Sequence, residues 1–268
     1  MKQAEEMEDL EARENNLKNK ILYIFMIKYF QLGFIIFLVL LNIISTFLFT
    51  NRISDYFFKS LISCSVHSPI LNIKIKVNGD KSILNNLGHI IISNHQNATD
   101  LIIINYLFDK INCVCKSNII CDEDLPIYFR FIKYIEKTFF KSFRFIPYER
   151  GNKENGEVVK KTMKEIIERN ENVLVFPEGH TTKSGIPQDF KNGLFRNASE
   201  NSIPVIPISL KYNKPVGINK EDKIDPFVWF NYEVEVFIHP IQTNKNWEKL
   251  KQDCLKLVRE PILEKKDN

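Results

Sequence analysis

The chain has 268 residues, 37 of them basic and 33 acidic, for a formal net charge of +4. That length accommodates one catalytic domain with a sizeable core plus an accessory segment. The charge excess is too small and too dispersed for nucleic acid to be the main partner, although it suits an anionic membrane surface or a phosphate-bearing substrate.

Residues 1–20 are dominated by charge, with Glu5, Glu6, Glu8, Asp9, Glu11 and Glu14 against Lys2, Arg13, Lys18 and Lys20, and are expected to form a solvated tail. An acidic leader before a long apolar core does not fit a secretory signal. Residues 21–54 read as a membrane segment. No charged residue falls between Tyr29 and Thr50, and Lys28 and Arg52 bracket the stretch. As a helix, that run is about 33 Å long, enough for a hydrocarbon layer of roughly 30 Å. Gln31, Asn42, Ser45 and Thr46 interrupt its apolar character, which leaves a monotopic helical hairpin over residues 21–50 as the alternative to a span. Lysines before the segment and Arg52 and Lys59 after it balance too closely to set an orientation.

From residue 55 onward the pattern alternates between strands and helices. Leu71, Ile73, Ile75 and Val77 interleave with polar residues and stop at Gly79-Asp80, as a half-exposed strand does. Short β-branched runs at Ile90–Ile92, Cys113–Cys115, Arg144–Ile146, Val173–Phe176 and Val205–Ile208 predict buried strands, and Tyr232–Ile238 alternates again. Helices are predicted over Leu101–Phe108, Leu125–Phe140 and Trp247–Leu263, and along a face made by Val158, Val159, Met163, Ile166 and Ile167. The five cysteines are odd in number and irregular in spacing, which excludes a disulfide framework and points to a reduced, intracellular setting. Cys113 and Cys115 are expected to be buried strand thiols. The expected fold is α/β, a mixed, largely parallel sheet flanked by helices, with one catalytic domain over residues 55–268.

Two motifs carry the chemistry. The first, Asn94-His95-Gln96-Asn97-Ala98-Thr99-Asp100, follows the strand at Ile90–Ile92. Five positions on a continuous helix turn a side chain by about 140°, so His95 and Asp100 meet only if His95 lies in a loop and Asp100 in the first helical turn. Asn97 and Thr99 are N-cap residue types where that break is needed. An aspartate on one ring nitrogen leaves the other free to take a proton from a hydroxyl. The second motif, Phe176-Pro177-Glu178-Gly179, ends another apolar run. No H-E-x-x-H or similar metal-ligand pattern is present, and no cofactor is expected.

With these two motifs, the chain resembles the glycerophospholipid acyltransferases. His95 to Asp100 matches that family's H-x-x-x-x-D block, and Phe145-Ile146-Pro147-Tyr148-Glu149-Arg150 resembles its second block. Phe176 to Gly179 matches the third, Ile203-Pro204-Val205-Ile206-Pro207-Ile208 the fourth, and Phe190-Lys191-Asn192-Gly193-Leu194-Phe195 the F-K-x-G-x-F segment. The resemblance implies that His95 is the general base, that Asp100 supports it, and that the acceptor hydroxyl attacks an acyl-CoA thioester directly, acyl-CoA being a co-substrate. It implies Arg150 as a phosphate ligand with a bidentate fork, Lys191 as a second phosphate contact, and Glu178 as either a ligand of acceptor hydroxyls or an orienter of its loop. Amides near Gly179 are candidate oxyanion donors, and Pro204 shapes an acyl-facing strand. The implied partners are acyl-CoA, a lysophospholipid and a lipid bilayer, on the cytosolic face of the endoplasmic reticulum. Glycerol 3-phosphate acylation, CoA-independent transacylation and non-catalytic lipid binding are the competing readings.

One departure bears on the acceptor. Lysophosphatidate acyltransferases carry F-P-E-G-T-R-S at the third block, whereas this chain continues with His180-Thr181-Thr182. The absent arginine, and the Lys183-Ser184-Gly185 that follows, resemble the lysophosphatidylcholine and lysophosphatidylethanolamine branch. His180 is expected to be a loop residue.

Overall fold

The computed structural model describes residues 72–97, 99–116, 144–149, 151–182, 184–213 and 232–264, with a few scattered positions before residue 72. These form a seven-stranded sheet: β1 (Ile73–Gly79), β2 (Ile90–Ser93), β3 (Ile111–Lys116), β4 (Phe145–Tyr148), β5 (Asn172–Val175), β6 (Val205–Tyr212) and β7 (Tyr232–Ile238). Four α-helices accompany it: α1 (Thr99–Leu107), α2 (Lys153–Glu168), α3 (Asn192–Glu200) and α4 (Trp247–Leu263). The strand order is β1-β7-β6-β2-β5-β3-β4. All neighbouring pairs are parallel except β6 with β7. The sheet is therefore mixed and largely parallel.

The short apolar runs are buried because helices cover both faces of the sheet. Successive side chains point to opposite faces, so Ile91 joins Ile103, Ile104, Phe108, Leu174 and Ile206 in one core, while Ile90 and Ile92 join Met163, Ile166, Phe195 and Val258 in the other. β2 is central, paired with β5 on one side and β6 on the other, and all four of its residues are buried. At the edge, β1 keeps the alternation read from its sequence. Lys74 and Lys76 face Glu233 and Glu235 of β7 in register, at 3.1 and 3.5 Å. Such exposed pairs contribute at most about 1 kcal/mol each.

The helices are cut by local chemistry. Asn152 caps α2 by accepting from the Asn155 amide, and Asn246 caps α4 by accepting from the amides of Glu248 and Lys249. On α4, Leu250, Cys254, Val258 and Pro261 make the buried stripe. On α2 the stripe is Val159, Met163 and Ile166. Val158 falls outside it, 60% exposed, because its neighbour already occupies the inward direction and adjacent helical residues diverge by about 100°. Cys113 is buried and Cys115 half-buried, both as free thiols, and desolvation pushes the Cys115 thiol up to about 12 and that of Cys113 well above its ordinary range.

The helix expected at Leu125–Phe140 and the charged tail lie outside the described residues. So does the membrane segment over residues 21–54, apart from Gly33, Phe37, Leu40 and Ile44. Gly33, Phe37, Leu40 and Ile44 are helical, and Phe37, Leu40 and Ile44 are exposed. Among the described residues, no helix is long and apolar enough to cross a membrane.

Candidate active site

The loops that leave the C-terminal ends of β2 and β5 meet at one place. After Ser93, the chain stops pairing as a strand, and Asn94 completes the ladder with its side chain instead. Its Oδ1 accepts from the Leu210 amide at 2.8 Å, and its Nδ2 donates to the Leu210 carbonyl at 3.0 Å. Held on β6 by this amide clasp, the backbone can turn away from the sheet without leaving buried polar groups unpaired.

The turn then closes on Asp100. Asn97 Oδ1 accepts from the Thr99 amide at 2.7 Å and so starts α1, which places Asp100 in its first turn and His95 in the loop before it. Asp100 Oδ2 accepts from His95 Nδ1 at 2.8 Å, from the Gln96 amide at 2.6 Å and from the Asn97 amide at 3.0 Å. Asp100 is fully buried, while the His95 side chain retains 22% of its exposure. Because both carboxylate oxygens of Asp100 act as acceptors, Nδ1 carries the hydrogen and Nε2 is the accepting nitrogen. No described residue bonds Nε2. Phe176, leaving β5, stacks on the imidazole with ring centres 4.1 Å apart and planes 15° apart, fixing the ring's face.

Glu178 is also fully buried, and its oxygens are engaged within the protein. Oε1 accepts from the His95 amide at 2.9 Å; Oε2 accepts from the Gln188 amide at 2.7 Å and from the Thr182 hydroxyl. The Thr182 amide in turn donates to the His95 carbonyl at 2.7 Å. Of the two roles open to Glu178 from the sequence, this geometry is that of a loop orienter.

Gly179 adopts φ +74°, the left-handed conformation that favours glycine, and its amide donates to the Phe176 carbonyl at 3.1 Å. That amide closes the turn between Phe176 and Gly179. Lys191 is exposed; its amide is anchored on the Pro177 carbonyl at 2.8 Å, and its aliphatic stem runs alongside Gly179, 3.9 Å from where a Cβ would lie. His180 is an exposed loop residue with Nδ1 on the Glu178 carbonyl at 3.0 Å. Pro204 is not brought to this cluster. Its carbonyl accepts from the Ile90 amide at the other end of β2, about 10 Å along the strand from Ser93. Arg150 lies outside the described residues.

Tyr212, at the last position of β6, was not among the candidates read from sequence, yet its hydroxyl donates to Asp100 Oδ1. Tyr232 donates to Thr99 Oγ1, which donates to Asn97 Oδ1. Nothing local to either tyrosine signals this, because both contacts depend on how β6 and β7 are placed in the sheet.

The site is thus a half-buried histidine held by a fully buried aspartate at the end of a mixed, largely parallel α/β sheet, an arrangement suited to accepting a proton. The acyltransferase family model matches residues 74–211, from β1 to the penultimate residue of β6, and the chain belongs to that family. Among solved structures, the chain is similar to the 1-acyl-sn-glycerophosphate (LPA) acyltransferase PlsC from Thermotoga maritima, with 18% identity, a TM-score of 0.54 and 87% of each chain covered. At that identity, the likeness establishes a shared fold. Comparison with curated proteins gives no match.

Proposed function

We propose that this acyltransferase transfers a fatty acyl group from acyl-CoA to a free hydroxyl of a lysophospholipid, the sn-2 hydroxyl of a 1-acylglycerophospholipid, at a membrane surface. The observation that carries the reading is the His95–Asp100 pair, with Nδ1 held on a buried carboxylate and Nε2 left to accept a proton. The acceptor oxygen attacks the thioester carbonyl while its proton passes to His95 Nε2. The tetrahedral intermediate collapses by breaking the carbon–sulfur bond, and His95 returns the proton to the departing CoA thiolate. Asp100 stabilises the imidazolium in between, as in the His–Asp half of a serine-protease triad. No residue of the enzyme is acylated.

Glu178 and Thr182 hold the loop, while Lys191 and Arg150 bind the phosphate of the acceptor. With Thr181 where an arginine stands in the lysophosphatidate branch, the favoured acceptor is a lysophospholipid with a larger head group. Membrane attachment is through residues 21–54. The exposed apolar Phe37, Leu40 and Ile44, spaced along one side of a helix, support it. The active site faces the cytosolic side of the endoplasmic reticulum, where acyl-CoA is supplied.

The test is an assay of the purified protein with labelled acyl-CoA against a panel of lysophospholipids and glycerol 3-phosphate. Product that requires acyl-CoA and falls by about 10²–10⁴-fold in His95→Ala supports the reading. Wild-type turnover in that variant overturns the general-base assignment, and product formed without acyl-CoA overturns the donor. Arg150→Ala is expected to raise the KM of the acceptor while leaving that of acyl-CoA unchanged.

A further inference from the structure

The carboxylate of Asp100 is held from two directions of different kinds. On Oδ2, all three donors come from residues 95–97, inside its own loop. On Oδ1, the donor is Tyr212, 112 residues later and on the far strand of the β2–β6 pair. Rotation about the Cβ–Cγ bond would exchange the two oxygens and move Oδ2 off His95, and the local donors would travel with a loop that moves as one piece. The tyrosine is anchored in the sheet and does not travel with the loop.

The anchor is itself braced. Tyr212 meets Tyr232 edge to face, with ring centres 5.3 Å apart and planes at 65°, and the antiparallel register sets Tyr212 against Val234. Tyr232 then holds the same loop at a second point, through Thr99 and Asn97. Burial, with the charge of Asp100 adding to it, pushes the Tyr212 hydroxyl well above the ordinary tyrosine range, so its proton stays in place as a donor across the working pH range.

We propose that Tyr212 is a positioning residue of this enzyme: its hydroxyl fixes Asp100 Oδ1, and thereby keeps Oδ2 aimed at His95 Nδ1 so that Nε2 faces the acceptor hydroxyl. The assignment rests on the reading of His95 as the general base. Tyr212 touches no reacting atom and acts only through Asp100. It acts on the rate of proton transfer and not on binding of either substrate.

The experiment compares full-length wild-type enzyme, Tyr212→Phe and a form with 3-fluorotyrosine at position 212, which keeps the ring's shape and changes the hydroxyl's strength as a donor. Two quantities are read: kcat and KM for both substrates, and the downfield proton resonance of His95 Nδ1–H, identified by its loss in His95→Ala. The expected result is a resonance that moves or disappears in Tyr212→Phe and moves in the fluorinated form. With it, Tyr212→Phe lowers kcat about tenfold while both KM values stay within about twofold. A resonance unmoved in both forms, or kcat within twofold of wild type in Tyr212→Phe, overturns the assignment. Should Tyr212→Phe not fold, the fluorinated form decides alone, on its resonance. If the wild-type enzyme acylates nothing in the panel, the proposed function fails, whereas the resonance comparison still decides whether Tyr212 sets the His95–Asp100 bond.

Discussion

Glu178 Oε1 accepts the His95 amide at 2.9 Å across 83 residues of sequence. With the return bond from the Thr182 amide to the His95 carbonyl, it joins the loop after β2 to the loop after β5 as one unit. The imidazole is thus fixed through its backbone by Glu178, through its ring nitrogen by Asp100 and through its face by Phe176. On the proposed reading of His95 as general base, an imidazole held at three points loses little orientation when a substrate arrives, which is preorganisation of the reacting group.

Asp100→Asn retains the volume of the side chain but replaces one acceptor oxygen with a donor. The amide cannot accept from His95, Gln96 and Asn97 on one side and Tyr212 on the other. The imidazole then loses its tautomer, with Nε2 no longer kept as the acceptor. Transfer is expected to fall by about 10³–10⁴-fold, in line with the corresponding change in a serine-protease triad. Steady-state kinetics on the purified variant, with circular dichroism to show a retained fold, checks this; activity within tenfold of wild type would mean the aspartate only holds the loop before α1.

Glu178→Gln sets an NH₂ group against the donors that now meet Oε1 or Oε2. Because the site is fully buried, the unpaired donors find no water. A loss of about 2–4 kcal/mol in unfolding free energy is expected, together with a large fall in kcat. If Glu178 bound the acceptor instead, stability would be unchanged and only the acceptor's KM would rise. Denaturant unfolding alongside kinetics separates the two.

His239, which is bonded to Ser209 and not to His95 or Asp100, gives the protein an acid sensitivity of its own. Burial lowers its folded-state affinity for a proton, partly offset by the charge of Glu260, and its Nε2 donates to Ser209 Oγ at 2.7 Å, beside α4. With the folded pKa below the unfolded value of about 6.5, the unfolded chain binds more protons in the window beneath 6.5. The contribution is therefore complete above that value and is lost as pH falls through the folded pKa. Thermal midpoints measured between pH 7.5 and 5 should decline on acidification, and His239→Gln should flatten part of that slope. An unaltered slope in the variant would assign the acid sensitivity to other groups, among them His89, which burial shifts in the same direction.

Much of the sheet was legible because its strands are short, β-branched and punctuated by glycine or polar residues, and the period of two survives at the edges, where Lys74 and Lys76 stay in water. The fold class followed from the alternation of such runs with helical ones. Legibility failed at boundaries and partners. β6 runs on to Tyr212, past the apolar run that marked it, because pairing with β7 continues where hydrophobicity stops. Val158 was placed on the inner face of α2 by its apolar character, although only the packing direction distinguishes it from Val159.

Residue types and local spacing alone determined that His95 and Asp100 could meet across a loop-to-helix break, since five positions, an Asn cap and a preceding strand are all properties of one short stretch. The tertiary structure decided how firmly they meet. Asn94 clasping Leu210, Glu178 reaching the His95 amide and Tyr212 reaching Asp100 span 83 to 116 residues. Contacts of that kind exist only after strands distant in sequence have been set side by side, because strand order and register are properties of the whole sheet and are written in no single segment.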